Sequence, residues 1–359
     1  MKSASSLEVR FLGEEHYAAW DDFVASQART GSIYSTARYM DILCRTAGGT
    51  FSVAVIEDGG GFIAGMGLYR QRVHGHEVIT RRMLLHYNGI VFRDDLLALE
   101  GSPSKRLAAL DAFCVFLGQQ KTAAVILNCR DGAQDFRAFL DRGWQVKPSY
   151  TIVVPTADTS QLWHRFDRNV RRMVRRAEAA GCTVEPDNDF DAFYRAHEEV
   201  HRRKGAPLYL PRQAFQRYVD ELLAARLGVI FTARLASGAP AAAQLVLLGK
   251  HRCSHTVCAG SFEAHLAPGT AYLLRWRTFI ALDALGYTMN DLTNATRGRV
   301  TSFKEQFGGA LAINMALRSP ARVSFQLAHR GVQWYEAVRK NAGRHLRDWA
   351  RFRAGHTPR

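Results

Sequence analysis

Hydrophobic and polar positions alternate along much of this 359-residue chain, and the pattern runs twice. In the first half, FSVAVIEDGGGFIAGMGLYRQ (51–71) predicts a strand, a glycine turn and a second strand, and HEVIT (76–80) a third. KRLAALDAFCVFLGQQ (105–120) fits a helix, AAVILN (123–128) a buried strand, FRAFLDRG (136–143) a short helix and WQVKPSYTIVV (144–154) another strand. In the second half, LGVIFTARLASGAPAAAQLVLLG (227–249) again reads as strand, turn and strand, followed by the strand HRCSHTVCAGSF (251–262). Pro268 and Gly269 then open the helix TAYLLRWRTFIALDALG, which stops at Gly286 before the strand-like YTMNDLT. The repeated hairpins predict an α/β protein of two similar domains.

Between the halves the periodicity changes from two to three or four residues. Leu162, Phe166, Val170, Met173, Ala177 and Ala180 form one apolar stripe, which predicts a helix over 161–180 ending at Gly181, with a strand resuming over 182–185. Arg165, Arg168, Arg171, Arg172, Arg175 and Arg176 occupy most of the rest of that helix, against Asp167 and Glu178. A solvated face, a phosphate or RNA contact and attachment to a membrane surface all fit such a helix, although the stripe thins to alanine and lacks an aromatic anchor for the last.

Charge extends that theme to the whole chain. Lys and Arg total 48 against 33 Asp and Glu, a formal charge of +15 and a pI near 9.9, which favours polyanionic partners without choosing among them. No apolar run approaches the ~20 residues of a membrane span. The opening MKSASSLEVRFLGEEHYAAW has no long hydrophobic segment and carries early acids, so no secretion signal is expected. The six cysteines, at 44, 114, 129, 182, 253 and 258, are too sparse for a disulfide scaffold and point to a reducing cytoplasm.

HRCSHTVC gathers His251, Cys253, His255 and Cys258, which invites a metal reading. On a straight strand the two histidines would stand ~13 Å apart, whereas zinc needs ligand atoms at ~2.0–2.3 Å. Cys258 would fall on the opposite face. No metal site is expected.

The chemistry is expected at the end of the second sheet. GRVTSFKEQFGG (298–309) sets Lys304 among Phe303 and Phe307, whose spacing of four puts both on one helical face. Asp291 closes a short apolar strand, where it could orient an amine or merely cap the turn over 293–296. Asn290 offers a hydrogen bond beside it. Arg172 and Arg176 are four apart and Arg168 extends the same positive surface, suited to phosphate through planar guanidinium donors. Gly269, at the start of the next helix, would expose backbone N–H groups to a second phosphate. In HEEVHRRKGAPLYL (197–210), His197, His201 and Tyr209 sit in what reads as a connector or mobile substrate loop, with Tyr209 the acceptor-side candidate.

Taken in order, RNVRRMVRRAEAAG with its following strand, LAPGTAYLLRWRTFIALDALGYTMNDL after the hairpin, and SFKEQFGG resemble the FemAB-like and BioF2-like branch of the GNAT acyltransferases over roughly residues 160–310. The resemblance implies tandem GNAT-like domains with mixed, mainly antiparallel sheets flanked by helices. It divides the chain into 1–158, 159–315 with the basic helix 161–180, and a C-terminal packing segment 316–359 carrying a further basic helix. It also implies amide formation by transfer of an aminoacyl or acyl group to a primary amine of a small molecule or peptide. The donor substrate would be aminoacyl-tRNA, or acyl-CoA in related members, with no tightly bound cofactor. In Fem-like proteins the lysine of the matching FK…FG segment is associated with a phosphate-bearing ligand and the reaction centre, which brings Phe303, Lys304, Phe307 and Gly308 into that pattern. The R/Q-x-x-G-x-G/A signature of ordinary acetyl-CoA users is absent, as is the long coiled-coil arm of some Fem proteins. Aminoacyl-tRNA is slightly favoured over acyl-CoA because the resemblance and the arginine-rich helix agree. Lys304 and Asp291 are the catalytic candidates, with tRNA and an anionic membrane surface as candidate partners. The rival of a different class is a noncatalytic RNA-binding protein on the same fold.

Overall fold

In a computed structural model describing residues 7–327 apart from 60, 99–101, 134 and 266–268, the two halves share a sheet. The first half runs β1 (Arg10–Phe11), α1 (Tyr17–Ser26), α2 (Ala37–Ala47), β2 (Thr50–Asp58), β3 (Gly61–Val73), β4 (His76–Ile79), β5 (Val91–Phe92), α3 (Pro103–Gln119), β6 (Ile126–Cys129), α4 (Arg137–Leu140) and β7 (Gln145–Pro155). The second runs α5 (Thr159–Arg165), α6 (Arg168–Ala179), β8 (Thr183–Glu185), α7 (Phe190–Lys204), α8 (Arg212–Ala224), β9 (Gly228–Arg234), β10 (Pro240–Leu247), β11 (Cys253–Ser261), α9 (Thr270–Ala284), β12 (Met289–Asp291), α10 (Arg299–Glu305) and β13 (Ala310–Arg318). Pro268 and the basic helix expected beyond residue 327 lie outside the described residues.

Local signals account for many of these boundaries. Thr36 accepts from the Tyr39 N–H at the start of α2, and Ser102 accepts from the Lys105 N–H ahead of Pro103 at the start of α3. Asp158 and Asp189 do the same for α5 and α7. Such caps satisfy helix N–H groups that have no partner within the helix.

β1 to β4 form a sheet in sequence order, with β5 on β3. Eight strands in the order β6-β13-β7-β12-β11-β10-β9-β8 form the second sheet, in which only the β11–β12 pair is parallel. β6 and β7, which precede residue 158, are therefore strands of the sheet built by the second half, and β13 pairs with both. A parallel bridge from Ile79 to Val125 ties the two sheets together.

The eight-stranded sheet is covered on both faces. α6 and α9 pack on one, burying Ile152, Val154, Phe166, Val170, Val174, Phe279, Leu292 and Phe307. The other meets α7, α8 and α2 of the first half through Tyr34, Tyr39, Tyr87, Phe193, Phe215, Tyr218, Leu245 and Leu247.

Three expectations need correction. The helix expected over 161–180 is two helices: Phe166 is extended (ψ 142°) and turns its ring into the core against Trp276, Phe279 and Phe307, and Asp167 starts α6 with its own N–H bonded to the Gln306 carbonyl at 3.0 Å. The stretch read as a loop over 197–210 is largely the end of α7, which closes on Gly205 in the left-handed conformation (φ 60°). Cys258 lies on the same face as His255, because a bulge at Val257 inserts one residue opposite Leu245 and Val246 and reverses the alternation.

Candidate functional site

The parallel pairing of β11 and β12 spans only Cys253–Met289, Ser254–Asn290 and His255–Asp291. Beyond these pairs the chain leaves β12 through Thr293 and Asn294, both at positive φ (48° and 55°). Left-handed backbone is unfavourable for a β-branched threonine and persists only where its surroundings hold it. Here the Thr293 N–H donates to Asp291 Oδ1 at 2.7 Å, its hydroxyl donates to the Thr256 carbonyl at 2.9 Å, and its carbonyl accepts from Lys304 Nζ. Lys304 Nζ also donates to the Asn294 carbonyl at 2.7 Å. Asp291 and Lys304 thus grip the two sides of one strained residue.

Asp291 is fully buried, and both its oxygens are occupied. Oδ1 also accepts from the Thr151 hydroxyl, while Oδ2 accepts from the Tyr87 hydroxyl at 2.6 Å and lies 3.5 Å from His255 Nδ1. Burial alone would raise its pKa, but His255, Thr151 and Tyr87 more than offset this and hold the carboxyl well below the usual range. Burial lowers the pKa of His255 despite the neighbouring carboxylate.

Lys304 is 8% exposed, and burial, with Arg275 opposing its charge, lowers its pKa to about 7; Asp291 acts the other way. Arg275, on α9, is itself buried with Nη1 unpartnered. An ammonium has three N–H donors. Two of those on Lys304 go to backbone carbonyls, which leaves one for a ligand.

The first half completes the centre. Tyr87 brings a hydroxyl to Asp291 and accepts from Asn314 Nδ2 at 3.3 Å. The Tyr34 ring stands 4.9 Å from His255, and the Tyr34 hydroxyl and both His255 nitrogens are buried without hydrogen-bond partners. Outside this cluster opens a cleft of about 820 Å³ between the halves. Ala28, Arg29 and residues 130–132 form one wall, and Val153, Pro155, Met289 and residues 310–313 form the other. Val153 pairs with Asp291 across the ladder, and Arg130 lies 5.9 Å over the Tyr87 ring, so the cleft adjoins the polar centre.

Asn290 points to the opposite face from Asp291, accepting from the Thr256 hydroxyl and donating to the Ser254 hydroxyl, both at 2.9 Å. Tyr209 packs against His197 and His201 with ring centroids 4.9 and 5.1 Å away. Gly269 has φ 93°, and a Cβ there would meet the Met173 carbonyl at 2.6 Å, so this glycine lets α9 begin directly against α6. Arg168, Arg172 and Arg176 are exposed on α6, with Arg172 also reaching Asn169 Oδ1 at 2.9 Å. Sequence reasoning missed Tyr87, Tyr34, Thr151 and His255 as parts of the centre. Only His255 had been singled out, and then as a metal candidate. Among the described residues no group of three or more His, Cys, Asp or Glu side chains could hold a metal ion, and no helix is long and apolar enough to cross a membrane.

Comparison with known proteins places this geometry on a familiar scaffold. Residues 164–305 match the family described as an acetyltransferase (GNAT) domain. No curated protein matches the chain. Among solved structures, FemX superposes with a TM-score of 0.67 at 14% identity, over 86% of this chain and 96% of that one. L-PGS from Bacillus licheniformis gives 0.53 at 13%, over 88% and 95%. A tandem GNAT protein from the clavulanic acid biosynthesis pathway gives 0.51 at 12%, over 88% and 100%. At such identities the likeness is one of fold. The chain has the GNAT-superfamily fold in two α/β halves with mixed, mainly antiparallel sheets, as the sequence implied.

Proposed function

We propose that this chain is an acyltransferase that forms an amide by moving an acyl or aminoacyl group onto a primary amine, with Lys304 and Asp291 at the reaction centre. The observation carrying this reading is the unspent N–H of buried Lys304, held by two carbonyls at the place where β11 and β12 part. In such a transfer the amine nitrogen attacks the acyl carbon. The C–N bond forms, the bond to the leaving oxygen or sulfur breaks, and the amine proton ends on the leaving group or solvent. Negative charge gathers on the acyl oxygen, where a fixed, water-poor donor is most effective. Protonated Lys304 supplies that donor.

Asp291 acts through position. With both oxygens engaged it is poorly placed to take a proton, but it fixes Thr293 and Tyr87 around the proposed acyl site. The cleft beside Val153 and Met289 would admit the amine, a small molecule or an extended peptide.

Aminoacyl-tRNA is the favoured donor, because the exposed arginines of α6 present a positive surface on the far side of the sheet, and the fold is shared with FemX. Acyl-CoA is the close alternative, supported by the matched acetyltransferase domain. Titration of the purified protein with charged tRNA, uncharged tRNA and acyl-CoA at several salt concentrations separates them. Preference for charged over uncharged tRNA supports the first donor. Saturable acyl-CoA binding with weak, salt-sensitive tRNA binding reverses the ranking. Binding of RNA with no transfer from either donor would favour the noncatalytic RNA-binding rival.

A further inference from the structure

On the face of the sheet opposite the polar centre, α5, α6 and α9 border a second, open concavity of about 410 Å³ that the proposed chemistry does not use. Its lining includes Ser160, Trp163, His164, Arg175, Glu178 and Trp276. The Trp163 and Trp276 rings stand 4.9 Å apart, tilted by 42°, and the Arg175 guanidinium lies 5.9 Å over Trp163. Both indoles are only partly buried: they pack against the core beneath and also line the concavity. Arg175 is exposed on the same helix as Arg168, Arg172 and Arg176. At 3.6 residues per turn it projects between that row and the side carrying Glu178, and the row itself extends ~12 Å along α6.

We infer that this concavity is a nucleobase-stacking site for single-stranded RNA whose phosphates follow the α6 arginines. An indole pair with an overlying guanidinium is a platform for a flat π system, since every base has a face to stack. A row of cations ~12 Å long suits a run of phosphates better than a single one. Glu178 favours a base over a lipid phosphate through hydrogen bonding: paired at Oε1 with Arg277 Nη2 at 2.7 Å, its carboxylate can accept from the exocyclic amino group of adenine or cytosine, which a phosphate headgroup without N–H donors does not offer. The inference rests on the tRNA-donor reading only for which RNA is bound.

The test is a binding titration with a single-stranded RNA of about 12 adenine and cytosine nucleotides, beside an abasic RNA of equal length and vesicles of anionic phospholipid. The RNA with bases is expected to bind about tenfold more tightly than the abasic strand. Trp163→Leu and Arg175→Met each erase that preference and leave a salt-sensitive remainder, whereas Arg172→Ala weakens both strands alike. Arg175 is exposed, so Arg175→Met keeps the test decisive if Trp163→Leu fails to fold. Equal binding of the two strands, a base preference that survives both variants, or vesicle binding that RNA does not displace would overturn the inference. Its failure would leave transfer from acyl-CoA untouched. Failure of the acyltransferase reading would show as no product from any donor, with the base preference intact.

Discussion

The two halves use the same local grammar of hairpin and following strand, yet they fill their interiors differently. In the first half, Gly65 and Gly67 of β3 lie against large apolar side chains, so close that a Cβ would stand 2.5 Å from Trp20 and 2.3 Å from Met40. That sheet is closed by packing. In the second half the interior carries Ser254, Thr256, Asn290, Asp291 and Thr293, tied by hydrogen bonds where β11 and β12 separate, with buried His255 beside them. Buried polar groups cost stability unless each is satisfied. Unmet buried atoms occur in both halves, on Ser32, Arg82 and Arg106 as well as on Tyr34, His255 and Arg275, so the second sheet is set apart by its buried, hydrogen-bonded cluster of Asp291, Thr293, Thr256, Asn290 and Ser254.

That contrast breaks most visibly at Lys304. Lys304→Ala should lower the rate of acyl transfer by about 10²–10³, measured as single-turnover product formation. Asp291→Asn should lower it comparably, because an amide cannot accept every bond the carboxylate accepts. It should also reduce unfolding free energy by about 1–3 kcal/mol in denaturant melts, as buried donors lose a charged acceptor. Gly65→Ala sharpens the comparison from the other side. Overpacking against Trp20 should cost about 1–3 kcal/mol, while kcat at a temperature where the protein stays folded should not change.

The pH dependence is a smaller effect with a definite sign. Lys304 loses its proton at about 7 in the fold and near ~10.4 when unfolded. Between these values the unfolded chain binds the additional proton, so this group makes stability rise with pH from about 7 to about 10. Lys304→Met should lack that rise in melts recorded across the range. If the ammonium is the active form, kcat should carry a falling limb near pH 7, and Lys304→Arg, though slower, should lose that limb. Smallest of all, Arg172→Ala should move stability by no more than about 0.5 kcal/mol, since its side chain is exposed on α6.

How much of this was legible in the sequence depended on whether a feature was local. The hairpins β2–β3 and β9–β10, the helix α9 and its stop, and the placement of Lys304 beside two core phenylalanines all follow from periodicity and turn residues. The break at Phe166 did not, because an aromatic at the right spacing continues a helical stripe on paper, and only its core neighbours draw the backbone into an extended form. The bulge at Val257 was equally hidden, so one inserted residue changed which face Cys258 occupies. The largest omission was Tyr87. It lies 204 positions from Asp291, and nothing in HYNG marks it as the donor to that carboxylate. Asp291 could be singled out from the sequence, but that both its oxygens accept hydrogen bonds, from Thr151, Thr293 and Tyr87, is visible only in three dimensions.

The central claim is tested most directly by following a labelled acyl group from charged tRNA and from acyl-CoA into a panel of primary amines, with wild-type protein and Lys304→Ala side by side. The account predicts an amide product from at least one donor with the wild-type protein and its loss by about 10²–10³ in the variant, both proteins melting cooperatively. Equal product formation by the two proteins would contradict it, as would the absence of product from every donor and amine when the wild-type protein is folded and binds RNA.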